Sequence, residues 1–392
     1  MPSPETALPR RAILTGCLLA MLTLGLAGNT GALCLTPIAT EFHLTDAQSG
    51  FFLSCVFWGA VASILVAGPL ADRMGFRLLM VVAAFLEAAG MAFVSASWRV
   101  WGVYLGAALA GCGMGVFDAL ATPLACAVYP EARARTANLV HSFYPLGMFC
   151  IVLLVMLLTR MGWAWRGIYL LVGLVCIPVG LLFLFMPLPE RSHEGTERLR
   201  ARRLILMPPF LLLLAAILLA GTTEIGFTQW LPAYIERAAS GGRFAGAMAL
   251  LVLGVTMTAG RMGNSLLAHR IRPRVLWIAG ACMCVAALLL AAIPIALPLR
   301  ILCGGVFGIG ISGLWPNTLA MAGGRFPEAG ASMYSLLHAL GNMGGFVGPV
   351  LIGVVAQWTN LRVGIAALAV APALALVVIK FAQDHVREQK VT

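Results

Sequence analysis

The chain has 392 residues, of which 61% are hydrophobic and only 10% charged, and its mean hydropathy is +0.95. Soluble domains carry about 25% charged residues, and a chain this apolar cannot cover its own surface, so lipid must cover it. That excludes a soluble or disordered protein, and it leaves the net charge of +11 to topology rather than to a nucleic-acid partner.

From the N-terminus, Arg10 and Arg11 precede an apolar run, as in a signal peptide. The run continues to about Cys34 with no clear small-residue cleavage site, so it reads as a first span. A span needs about 20 mostly apolar residues. Twelve segments meet that need, near 12–36, 48–71, 78–97, 100–128, 136–159, 164–187, 207–235, 242–268, 275–293, 296–322, 330–356 and 360–382. The predicted fold is an all-α integral membrane protein with twelve transmembrane helices. The polar, arginine-rich stretch Pro187–Arg203 divides them. The predicted domains are therefore a six-helix bundle over 1–187, a linker over 188–206 and a second six-helix bundle over 207–392.

With the N-terminus placed in the cytoplasm, 19 of the 26 Lys and Arg residues, Arg261 among them, fall on that side and 7 on the other. The positive-inside rule then puts both termini and the linker in the cytoplasm of a multi-pass protein of the inner (plasma) membrane. The two halves also repeat. At an ungapped offset of 197, LADRMGFR (Leu70–Arg77) lies over LAHRIRPR (Leu267–Arg274), Gly111 and Gly113 over Gly308 and Gly310, and His141 over His338. Parallel six-helix repeats are an architecture in which two bundles rock around a midplane site.

The stretch GPLADRMGFR places Gly68, Leu70, Asp72, Arg73, Gly75 and Arg77 in one turn. It resembles the signature loop of the major facilitator superfamily between its second and third helices. Gly68 is expected to allow close helix approach and Gly75 a tight turn. The resemblance implies that Asp72, Arg73 and Arg77 stabilise one conformational state. Three further segments narrow it. GMGVFDALATP (Gly113–Pro123) looks like the fourth helix of the fucose:proton symporter branch, with Asp118 in the carboxylate position. NLVHSFYPLG (Asn138–Gly147), which carries His141 and Tyr144, is similar to that branch's fifth helix, and GTTEIGFTQWLPAY (Gly221–Tyr234) to a seventh-helix pattern of related permeases. The chain departs from the branch at Ala32, where the symporters use an aspartate, while Asn29 matches a polar position one turn earlier.

Three acids lie within predicted spans: Glu87, Asp118 and Glu224. Ionisable residues inside a membrane point to function by default, and removing a carboxylate from water disfavours its charged form. Asp118 and Glu224 are the candidate proton carriers. Glu87, among small residues on a peripheral span, reads as a packing group. The branch resemblance implies that Glu224, Gln229 and Trp230 contact solute, helped by Asn29, His141 and Tyr144. Acid and amide would bind hydroxyls and the ring would cover a C–H face. Trp230 and Tyr234 read equally as interfacial anchors. His338, Asn317 and Asn342 are further polar candidates, and Trp315, at the repeat position of Asp118, a cavity wall.

No GxxxxGK[ST] phosphate loop, nucleophile elbow or His/Cys metal spacing is present in the sequence. The expectation is a non-enzymatic secondary transporter with no cofactor and no bound metal. It works as a monomer in the bilayer and takes up a small polar solute, such as a sugar, on a proton gradient. A proton-driven efflux antiporter and a non-transporting sensor or scaffold are the alternatives.

Overall fold

The computed structural model describes residues 9–188, 204–238, 242–267, 270–326 and 330–388. Helices run in the order α1 (Arg10–Glu41), α2 (Asp46–Met74), α3 (Phe76–Ala96), α4 (Val100–Val128), α5 (Arg133–Arg160) and α6 (Trp165–Phe185). After the linker come α7 (Pro208–Ala238), α8 (Gly242–Leu267), α9 (Pro273–Ala292), α10 (Leu297–Ile311), α11 (Leu314–Arg325), α12 (Gly330–Trp358), α13 (Leu361–Leu368) and α14 (Val370–Glu388). Among the described residues, twelve spans are long and apolar enough to cross a membrane. That matches the twelve read from sequence.

Two of the spans are interrupted, and each break lies one turn before a proline. Proline lacks an N–H, and its ring opposes the carbonyl four residues earlier. Pro316 opposes Ser312, and the tenth span breaks there into α10 and α11. Pro372 opposes Leu368, where α13 ends and α14 follows. Between α2 and α3 the chain turns on one residue, Gly75, whose φ of 78° suits glycine. Gly68 behaves otherwise than expected: a Cβ there would meet nothing within 4 Å, so no helix approaches it closely.

Contacts divide the chain into two compact units: Met1–Thr30 with Cys55–Glu194, and Gly31–Ser54 with Gly195–Thr392. The second part of α1 and the start of α2 thus cluster with the second unit. Their packing is close. Gly50 lies against the Pro349 carbonyl and Gly353, Ser54 Oγ donates to the Phe346 carbonyl at 2.9 Å, and Arg237 pairs with Asp46 at 2.8 Å.

Without water to squeeze out, helices in lipid associate through tight packing at small residues. The 197-residue repeat shows this in three dimensions. A Cβ on Gly111 would strike the Val56 carbonyl, and one on Gly308 would strike the Leu253 carbonyl, its repeat equivalent. At the next such crossing the partners trade places. Gly115 faces Ser63 in the first unit, whereas Gly260 faces Ser312 in the second.

Candidate functional site

In the first unit, polar groups gather where α4 meets α5. Asp118 is half-buried on α4. Thr122 lies one turn further along the same helix face, and its Oγ1 is 3.3 Å from His141 Nε2 on α5. Tyr144 follows on α5, also half-buried. Asp118, His141 and Tyr144 are therefore carried on neighbouring helices. Asn29 does not join them as an open contact. It is fully enclosed, its Nδ2 turns back to the Gly25 carbonyl at 2.9 Å, and its Oδ1 has no partner. Glu87 is likewise fully enclosed, with Thr23 Oγ1 of α1 donating to its Oε2 at 3.4 Å. A Cβ on Gly113 of α4 would collide with the Glu87 backbone, so Glu87 sits in the α3–α4 seam.

The second unit holds the more complete constellation. Glu224 stands at the middle of α7 with 14% of its side chain exposed. Arg261 of α8 reaches it, Nη2 to Oε1, at 3.3 Å, and is 31% exposed. The pair is only partly satisfied: among the described residues, Glu224 Oε2 and Arg261 Nε have no hydrogen-bond partner. One turn along α8, Asn264 donates to Ser312 Oγ at 3.0 Å, where the tenth span breaks. Asn264 and Asn317 flank Gly313 in that break. The Nδ2 of Asn317, a buried residue, is unpartnered. Trp315 stacks obliquely on His338 of α12, centroids 5.7 Å apart, and closes over Gly341. Asn342 Nδ2 bonds back to the His338 carbonyl at 3.0 Å.

Arg261, counted with the cytoplasmic charges, lies inside the eighth span, as the predicted segment 242–268 already had it, and its partner there is Glu224. Trp230 is 0% exposed, and its Nε1 donates to the Pro349 carbonyl at 3.0 Å. It pins α7 to α12 and is neither an open solute platform nor a belt anchor. Tyr234 is similarly spent, on Arg300 and the Ala291 carbonyl. Gln229 is buried beside Trp230. At the signature loop, Arg73 and Arg77 are exposed, and the Asp72 side chain lies outside the described residues. Sequence reading missed Arg261, Asn264 and Ser312 as site residues. Pro316 was the available signal, since a proline in a span marks a break that polar neighbours must satisfy.

Twelve spans, a parallel repeat and polar groups held at mid-span define a multi-pass membrane protein of the transporter class. A family model for the Major Facilitator Superfamily matches residues 15–303 and 265–392, and the chain belongs to that superfamily. A putative metabolite transport protein of Haemophilus influenzae is 24% identical over 365 residues, 86% of each chain. A D-xylose transporter of Levilactobacillus brevis is 28% identical over 156 residues, 38% of this chain and 32% of that protein. A crystal structure of the nucleoside transporter NupG superposes with a TM-score of 0.78 at 14% identity, covering 95% of this chain and 99% of that one. The last likeness concerns the fold.

Proposed function

We propose that the protein is a proton-coupled secondary transporter of the inner membrane, with both termini cytoplasmic, that takes up a small polar solute by alternating access. The observation that carries this reading is the Glu224–Arg261 pair inside the spans, left with an unpartnered oxygen and an unpartnered N–H. Buried ion pairs contribute little to stability as such, because desolvation opposes their attraction. A half-satisfied ion pair can exchange partners, which is the property this reading uses. Asp118 supplies a second carboxyl in the other unit, on a helix face shared with Thr122, whose Oγ1 lies 3.3 Å from His141 Nε2. The metabolite and D-xylose transporters among the relatives support the solute class. Proton gradients need no cofactor, and we assign none. The monomer is the working unit in this scheme.

The test is direct. Purified protein is placed in liposomes holding a pH-sensitive dye, and candidate solutes are added outside. Acidification of the lumen on solute addition is the expected result. Solute entry with no proton movement in any condition would contradict the coupling.

A further inference from the structure

Arg261 is the feature the sugar reading does not use. A neutral solute gives a guanidinium nothing to exchange for its carboxylate. An anionic one does. The present ion pair is a single contact at 3.3 Å, and the adjacent Arg261 Nε is unpartnered. A carboxylate placed against Nε and Nη2 would bind both in parallel, the geometry that guanidinium favours. Beyond it, past Asn264 and Ser312, which bond one another, Asn317 Nδ2 has no hydrogen-bond partner among the described residues and offers a donor suited to a hydroxyl. The start of α11 at Gly313 adds the positive end of a half-helix, an arrangement found at anion sites of transporters with broken spans.

We propose that this cluster binds the carboxylate of a hydroxylated organic monoanion, with Arg261 as its anchor and Glu224 as the counter-charge that gives way. The proposal rests on the proton-coupled reading above. In the exchange, Glu224 takes one proton, its contact with Arg261 breaks, and the solute carboxylate forms the new ion pair with Arg261. One proton and one monoanion then cross together, so no net charge moves. Among the described residues, Arg261 of α8 is the charged group in contact with Glu224, and Cys284 of α9 lies within its electrostatic reach. α12 turns His338 onto Trp315, and Arg300 of α10 is held by Tyr234.

The experiment compares matched probes, D-gluconate with D-glucose and 4-hydroxybenzoate with 4-hydroxybenzyl alcohol, on the full chain in detergent and in liposomes. At least one acid is expected to raise the melting temperature while its neutral partner does not. Its uptake should respond to a pH gradient and ignore an imposed membrane potential. Arg261→Gln should weaken acid binding about 10- to 100-fold, the weight of a charge-assisted hydrogen bond. Arg261→Lys, which keeps the charge, should restore part of it, a rescue that misfolding would not give. Glu224→Gln should bind the acid with little dependence on pH. Proton-linked uptake of a neutral probe with no binding of either acid would overturn the anion assignment and leave proton-coupled transport standing. Acid binding unchanged in Arg261→Gln would also overturn it. Solute entry without proton flux would instead overturn the coupling itself.

Discussion

Glu87 and Cys284 hold equivalent places in the two halves, 197 residues apart, an acid in the first and a thiol in the second. In the first unit the acid is Glu87 itself, on α3, with Thr23 of α1 beside it. In the second unit the α9 position carries a thiol, and the nearby acid is Glu224 of α7. The two acids thus sit on different helices of the repeat, Glu87 on its third and Glu224 on its first. Glu87 is sealed in the α3–α4 seam, whereas Glu224 keeps partial exposure and a cation.

Glu87 is therefore expected to serve packing. Glu87→Gln should leave proton-linked uptake intact. Glu87→Ala should lower stability by about 2 kcal/mol or more, from a lost hydrogen bond and a new cavity. Thermal unfolding in detergent, read beside uptake, checks both. Loss of proton coupling in the Gln variant would move Glu87 into the transport machinery.

Trp230 gives a second contrast. Trp230→Phe removes the donor to the Pro349 carbonyl, which is expected to cost about 1–2 kcal/mol, with KM for the transported solute unchanged. A large rise in KM with unchanged stability would restore Trp230 to the solute site.

The glycine crossings make a sharper forecast. Gly308→Val should fail to give folded protein, because its Cβ would strike the Leu253 carbonyl, part of a rigid helix backbone. Gly68→Ala should be neutral, because nothing lies within 4 Å of the added carbon. Size-exclusion profiles of the two variants distinguish them, and equal damage would contradict the close-packing account.

Gly31–Ser54 clusters with the second unit, held by Asp46–Arg237 at 2.8 Å and by the close seat of Gly50 at Pro349 and Gly353. An exposed ion pair of this kind is worth about 0–1 kcal/mol, so it can open within a transport cycle. A disulfide between cysteines placed at 46 and 237 should stop uptake, and reduction should restore it. Undiminished uptake by the fully crosslinked protein would show that this contact never needs to part.

Much of this was legible in the sequence, for identifiable reasons. Spans of 20 apolar residues have no other stable home than lipid, and a fixed offset of 197 residues exposes the repeat. Asp118 and Glu224 stood out because a carboxylate in such a span is costly. Arg261 did not, because it is 37 residues from Glu224 on another helix and near enough to the span's end to pass for a loop charge. Trp230 and Tyr234 were ambiguous for the same reason that an aromatic always is: only its neighbours tell a sealed ring from a solute platform. Asn29 looked available, but an amide can fold back on its own helix, and this one does. The clustering of Gly31–Ser54 with the second unit depends on long-range contacts that no local pattern records.

Glu224→Gln tests the central claim most directly. The variant is reconstituted, and uptake driven by a pH gradient is measured beside solute counterflow, which needs no gradient. Proton coupling through Glu224 predicts that driven uptake is lost while counterflow persists. Full driven uptake in Glu224→Gln would contradict it.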